Sequence, residues 1–199
     1  MIEEEPINRI TIGKATGIDF GPLTALIGVW KGDKGVDIAP EPDGEETNPF
    51  FETITFLEVG GVTNAESQNL SALHYHQIVS RKSDGAVFHN ETGYWMWDAE
   101  NKTVMHSLHI PRAVGLIAGG TYNGEKDADG RIILKVMAKL GDENWGIIQS
   151  PFMRDKASTQ SFEHEIIIGN GKLTYTETTM VDIYGKVFEH TDQNELELT

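Results

Sequence analysis

The sequence contains no cysteine. Disulfide bonds, thiolate nucleophiles, zinc–cysteine centres and iron–sulfur clusters are therefore excluded. Basic residues are scarce as well, with 16 lysines and arginines against 31 aspartates and glutamates, which gives a formal net charge of -15. Nucleic acids and anionic membranes are bound by clustered positive charge, so we expect neither kind of partner.

Long apolar runs are also missing, since no segment approaches the ~20 apolar residues that cross a bilayer. The segment Met1–Pro6 is acidic, whereas a secretory signal is basic and then apolar. These features favour a cytoplasmic location. With 199 residues, 39% of them hydrophobic and 24% charged, the chain has the size and composition of a single folded domain.

One short helix is predicted near the start of that domain. Residues 1–20 are polar with scattered glycine and proline, and they predict an extension ahead of a domain that covers residues 21–199. Helical spacing of apolar residues, with Pro22 in the first turn and Gly28 as a stop, predicts a helix over Phe20–Ile27. Because it is too short to form a core alone, we expect it to cap one end of a sheet.

After this helix the pattern changes to short strands separated by turns. Asp-Gly and Asn-Gly pairs supply the positive φ that tight hairpins need. The predicted strands are Val29–Val36, Phe51–Glu58, Ser71–Ser80, Ala86–Trp97, Thr103–Ile110, Val114–Tyr122, Ile132–Ala138, Ser161–Ile168, Lys172–Ile183 and Lys186–Leu198. The fold class is therefore all-β. We predict a closed antiparallel up-and-down barrel of about ten strands, because closure removes both sheet edges and leaves room for one small ligand.

Two segments between these strands are predicted to be loops. Ala39–Asn48 is rich in proline and acidic residues and is expected to be an exposed loop. Gly141–Lys156 carries Trp145, Phe152 and Met153, and it is expected to fold over a barrel mouth.

Three tryptophans are assigned to the core. Trp30 is flanked by Gly28 and Gly32, which allow close backbone approach, and we expect its indole to plug the closed end of the barrel beneath the helix. Trp95 and Trp97 are interpreted as core residues as well.

The histidines are the most informative polar residues. Strand alternation places His190 on the same face as Phe188 and other apolar residues, so we expect it to point into the barrel. His106 shares its face with apolar neighbours and also points inward. His74 and His76 share one face and form a candidate metal pair, without a third ligand at a suggestive spacing. For each histidine, the alternative is a ring bonded to a neighbouring hydroxyl or carboxylate, which for His190 is that of Asp192 on the same face.

Four segments, in order along the chain, carry a family resemblance. Gly28–Gly35 reads GVWKGDKG and resembles a G-x-W-x-G-x-G signature, with Lys34 in place of the third glycine. His89–Tyr94 reads HNETGY, and Gly171–Tyr175 reads GKLTY. Together with the glycine-rich hairpin at residues 111–122, these segments resemble the nitrobindin-like heme-binding β-barrels, relatives of fatty-acid-binding proteins in the calycin superfamily.

This resemblance implies a specific chemistry. Members of the family are ten-stranded barrels that hold ferric heme b through one proximal histidine, with nitric oxide binding and peroxynitrite isomerisation as the associated reactions. His190 stands where the family keeps its iron ligand, and it is the expected heme ligand here. His106 and Phe188 are expected to line the cavity. If the protein is an enzyme, the resemblance implies a heme-dependent peroxynitrite isomerase.

Two other functions remain open from the residues. The first is a lipocalin-like carrier of an apolar small molecule, without heme. The second is an enzyme acting on such a molecule, with His106 or His190 as the acid–base group. The sequence is compatible with a monomer or a homodimer.

Overall fold

Antiparallel strands make up most of the computed structural model, which describes residues 17–199. A 3₁₀ helix spans Gly21–Leu26, and one α-helix, α1, spans Pro151–Lys156. The strands are β1 (Gly28–Glu41), β2 (Gly44–Asn64), β3 (Gln68–Arg81), β4 (Val87–Asp98), β5 (Thr103–Ile110), β6 (Val114–Thr121), β7 (Ile132–Lys139), β8 (Ile147–Gln149), β9 (Ala157–Gly169), β10 (Lys172–Ile183) and β11 (Lys186–Leu198).

The sheet closes on itself. Its strand order is β5-β4-β3-β2-β1-β11-β10-β9-β7-β6, with β8 added to β6, and β5 also pairs with β6. Ten strands therefore form a closed antiparallel barrel, as predicted, with the short β8 as an extra strand. Within this barrel the first strand, β1, pairs with the last strand, β11, from Trp30↔Leu198 to Ile38↔Thr191.

The 3₁₀ helix covers one end of the barrel, which we call the closed end. Leu23 and Leu26 are fully buried there, and Trp30 is 1% exposed. The Trp30 Nε1–H donates to the Leu26 carbonyl oxygen at 2.7 Å, so the indole is fixed directly to the helix. The predicted capping helix and the predicted place of Trp30 are confirmed, although the helix is a 3₁₀ helix over Gly21–Leu26.

The prediction of a loop over Ala39–Asn48 is wrong. Residues in this segment pair across β1 and β2, and the turn holds two residues between Glu41 and Gly44. The hairpin is exposed at its tip, as the composition indicated, because residues 41–47 are solvent-exposed. The polar composition of this segment led to the prediction of a loop. A two-stranded ribbon with both faces in water needs no apolar side, so strands there can be polar as well.

The Gly141–Lys156 segment is more ordered than a loop. It contains β8 and α1, and this second helix was not predicted. Trp145 and Met153 pack against the core, whereas Phe152 is 70% exposed, so only part of the apolar content covers the barrel. Among the described residues, neither helix has the length and apolar character needed to cross a membrane.

A bulge in β1 changes which residues face the lumen. The pairing of β1 with both neighbours shifts register after Gly32, so the alternation restarts at Gly35. Lys34 lies on the outside of this bulge and pairs with Glu195 at 2.7 Å. The shift turns Asp37 inward, where it is 3% exposed.

Most of the predicted extension, residues 1–16, lies outside the described residues, and the extension stays a prediction. Phe20, its last residue, is 4% exposed and packs into the core of the barrel.

Replacing Trp30 should destabilise the whole barrel. Truncating a buried large aromatic costs about 3–5 kcal/mol, so Trp30→Ala should lower the free energy of unfolding by that amount in a denaturant titration. Phe152→Ala, at a side chain that is 70% exposed, is the matched control and should unfold with the parent. A Trp30→Ala variant as stable as the parent would contradict the closed-end assignment.

Candidate functional site

The lumen changes from apolar to polar along the barrel axis. Apolar side chains fill the closed end. The middle of the lumen and the opposite end, which we call the open end, hold ionisable groups on the inner face of the strands. We call these groups the inner polar cluster: Asp37, Glu52, Tyr75, His89, Glu91, His106, His164, Tyr175, Glu177, His190 and Asp192. A lumen of this composition needs internal hydrogen bonds, because buried polar groups without partners are costly.

Three members of this cluster meet near the open end, and we call them the rim triad. The His190 Nε2 lies 2.6 Å from Asp37 Oδ1 and 3.4 Å from Asp192 Oδ2. β1 and β11 are neighbours, and Asp37 pairs with Asp192 in their register. The Asn48 side-chain amide donates to the other oxygen of Asp37 at 2.9 Å and fixes the orientation of that carboxylate.

The electrostatics of the rim triad favour a protonated imidazole. Burial alone would lower the pKa of His190, but the hydrogen bond with Asp37 and the charges of both aspartates outweigh it and raise the pKa. Burial also raises the pKa of Asp192 to about 6, with His190 acting in the opposite direction.

A chain of hydrogen bonds runs from the rim into the core. The His89 Nε2 lies 3.2 Å from Glu91, and the Tyr75 hydroxyl donates to the same carboxylate at 2.5 Å. Tyr75 in turn lies 2.8 Å from the His106 Nε2. Burial alone would raise the pKa of Glu91, but the hydrogen bond and charge of His89 lower it overall. Glu91 is therefore a buried carboxylate with donors from two sides.

Two histidines lie too deep to be charged. Burial lowers the pKa of His106 to about 3 and that of His164 to about 4. His106 stacks on Trp95 with ring centroids 4.2 Å apart. Neither ring nitrogen of His164 has a hydrogen bond within the described residues, and its Nδ1 lies 3.6 Å from Glu177.

The space between these rings is small. The enclosed cavity lined by Tyr75, Trp95, His106 and His164 has a volume of about 10 Å³. That volume is close to the lower limit for one water molecule. The lumen between these rings is therefore filled by side chains and has no room for a larger ligand.

Glu52 is held by three donors in the middle of the lumen. It accepts hydrogen bonds from the side-chain amides of Gln77 and Asn194, both at 2.9 Å, and from the Tyr175 hydroxyl at 3.2 Å. Burial still raises its pKa to about 7, against the effect of these hydrogen bonds.

The predicted site residues lie in three different places. His190 faces inward near the open end with 30% of its side chain exposed, and Phe188 is half-buried on the same strand. His106 is inward but fully buried, so it lines the filled lumen. His74 and His76 point outward and bond a threonine hydroxyl and an asparagine amide oxygen, which agrees with the alternative offered for them.

Several members of the cluster were missed in the sequence. Alternation could have found Glu91, which shares its face with Trp95, and Glu177, which shares its face with Tyr175. Asp37 could not be found in this way, because the β1 bulge reverses the alternation before it. The contact of His190 with Asp37 also spans 153 positions of sequence.

Comparison with known proteins places this barrel in a family. Residues 19–197 match the THAP4-like, heme-binding beta-barrel domain. The chain belongs to this family. The crystal structure of Rv2717c from M. tuberculosis has the same fold, with a TM-score of 0.63 and 20% sequence identity over 91% of this chain and 99% of that chain. A search of curated proteins finds no significant match.

Membership of this family implies that the protein binds heme. We therefore ask whether the residues of the rim triad could hold a heme group. An imidazole is a suitable axial donor for heme iron, and His190 presents one at the accessible end of the barrel. The donor type and position fit. Two conditions follow from its contacts: the Nε2 must give up its hydrogen bond to Asp37 before it can bind iron, and a porphyrin cannot enter the filled lumen.

The buried carboxyl of Glu52 should make stability depend on pH. Because its folded-state pKa of about 7 exceeds the usual value of 4.5, the folded protein keeps a proton that the unfolded chain releases. The contribution of the protonated Glu52 to the free energy of unfolding is fully present below about pH 4.5. It should be lost as pH rises through 7, and the loss should be roughly 3 kcal/mol at most.

The variant Glu52→Gln has an amide in place of the carboxyl group, so its stability has no contribution from protonation at this position. Its free energy of unfolding relative to the parent should therefore rise between pH 5 and pH 8, as measured by urea titrations across that range. A difference that stays constant with pH would show that Glu52 titrates normally.

Proposed function

We propose that the protein binds ferric heme b at the open end of its barrel, with His190 as the axial ligand. The observation that carries this proposal is the position of His190, an inward-facing imidazole with 30% of its side chain exposed. Membership of a heme-binding barrel family supports it. The inner histidines His106 and His164 are fully enclosed and cannot reach a ligand of this size.

The chain's own residues would act on the ligand in distinct ways. His190 would supply the axial nitrogen, and Asp37 would compete with iron for that nitrogen through its hydrogen bond. The filled lumen would keep the heme at the open end. Heme held by His190 would supply the nitric oxide and peroxynitrite chemistry that the family resemblance implies.

The two alternative functions have less support in the geometry. A carrier of an apolar molecule needs a cavity of that molecule's size, and the space inside the lumen here is only about 10 Å³. An enzyme using His106 as its acid–base group needs substrate next to that ring, where Trp95 and Tyr75 already pack. Both observations count against a ligand inside the lumen, and we therefore place the proposed ligand at the open end.

Removing the His190 imidazole should abolish axial ligation. Hemin titrated into the parent should give a saturable Soret shift, and His190→Gly should lose it because no other nitrogen occupies that position. Added imidazole should restore the shift in the variant by entering the space left by the side chain. His76→Gln, on the outer face, is the control and should bind hemin as the parent does.

Other outcomes would refute the proposal. A parent without a saturable Soret shift does not use heme as its ligand. A shift lost in His89→Gln but kept in His190→Gly would move the ligand to the other partly exposed histidine of the inner polar cluster.

The competition between Asp37 and iron gives a second prediction. A hydrogen bond to a charged group contributes about 1.5–3 kcal/mol, and ligation through the Nε2 must break it. Asp37→Ala should therefore tighten hemin binding by about tenfold or more in the same titration. Weaker binding in this variant would mean that Asp37 supports the ligand, which is inconsistent with ligation through the Nε2.

A further inference from the structure

The rim triad has the composition of a metal site. We propose that Asp37, His190 and Asp192 together bind one divalent first-row transition-metal ion at the open end of the barrel. The site would form without heme, and an ion bound there would compete with heme for the His190 Nε2.

The donor geometry supports this assignment. One donor atom from each of the three residues lies within 4.8 Å of the other two. Metal–ligand distances of about 2.0–2.2 Å place neighbouring donors about 3–3.5 Å apart. The His190–Asp192 separation of 3.4 Å already falls in this range, and the His190–Asp37 separation of 2.6 Å must widen by less than 1 Å.

The surroundings of the triad resemble those of a supported metal site. Asn48 bonds one oxygen of Asp37 and leaves the other directed at His190. Such outer contacts orient metal-binding carboxylates. The side chains of His190 and Asp192 are 30% and 26% exposed, so an ion can enter and keep water ligands. The backbone pairing of β1 with β11 fixes the spacing of all three residues.

The charge around the triad also favours a cation. Glu91 and Glu177 lie close enough to Asp192 to interact with it electrostatically, which adds two carboxyl groups beside the two aspartates. Within residues 17–199, no lysine or arginine forms an ion pair with any of these four groups. A divalent ion bound in the triad would place positive charge beside these carboxyl groups.

The donor set selects the class of ion. One imidazole with two carboxylates suits Zn²⁺, Mn²⁺ or Fe²⁺, whereas Mg²⁺ prefers a shell made of oxygen. The site lacks the sulfur ligands that select Cu⁺. Zn²⁺ is the practical probe for affinity, and Co²⁺ is the probe for ligand geometry through its visible absorption.

The test is a metal titration of the full chain after removal of metal by a chelator, without heme. Calorimetry with Zn²⁺ should give one site per chain, and Mg²⁺ should bind far more weakly. Asp192→Asn and His190→Gln should each lower Zn²⁺ affinity tenfold or more. Co²⁺ should give visible bands in the parent that change in both variants. The double variant of His74 and His76 is the matched control, since this outer histidine pair is the other place where Zn²⁺ could bind.

Three results would overturn the proposal: no saturable Zn²⁺ binding by the parent, unchanged affinity in folded Asp192→Asn, or loss of binding in the outer-pair control. Circular dichroism establishes which variants are folded. If Asp192→Asn does not fold, Asp37→Asn and the rise in parent melting temperature with Zn²⁺ decide the question, because an ion bound to the native state must raise it.

The outcome of the heme titration does not depend on the outcome of this metal titration. Asp37→Ala distinguishes the two proposals directly, because it should weaken Zn²⁺ binding and strengthen hemin binding. A parent that binds Zn²⁺ but gives no Soret shift would retain the metal site and lose the heme proposal.

Discussion

Closure of the sheet is the constraint on which the rest of this structure depends. In a closed barrel every second side chain of each strand faces a lumen that excludes bulk water. Apolar residues satisfy this constraint near the 3₁₀ helix, where Leu23, Leu26 and Trp30 fill the space. Polar residues elsewhere in the lumen must find partners within it, and most members of the inner polar cluster do so through hydrogen bonds, with His164 as an exception.

The position of those polar groups separates two regions with different capacities. In the middle of the lumen, Glu52 and Glu91 are saturated by donors, and His106 and His164 are held neutral. These groups have little freedom to exchange partners. At the rim, His190 and Asp192 are partly exposed, and their contacts can be replaced by a ligand. Function is therefore expected where the polar network reaches water.

The sequence was sufficient for the architecture because two signals are local. Alternation along single strands placed His190 and His106 on the inner face, and turn residues divided the chain into nearly all the strands observed. Partners across the barrel are not local, so the contact of His190 with Asp37 could not be predicted, whereas Asp192, the partner proposed on its own strand, lies 3.4 Å from the ring. The β1 bulge is a second reason, because an insertion within a strand reverses the face of every residue after it, including Asp37. The polar ribbon at the tip of β1 and β2 was mistaken for a loop because its exposed strands carry no apolar face.

The pairing of β1 with β11 has a consequence for the order of events during folding. Asp37 and His190 are 153 residues apart in sequence, and they come together through the pairing of the first strand with the last. The entropy cost of closing the loop is larger for contacts between such distant residues than for contacts within a hairpin. These long-range contacts therefore tend to form slowly. The hairpins from β2 to β5 can form before the two terminal strands meet, whereas the rim triad exists only after they have done so. A chain in which β1 and β11 have not yet paired therefore lacks this site, whatever other parts of the sheet have formed.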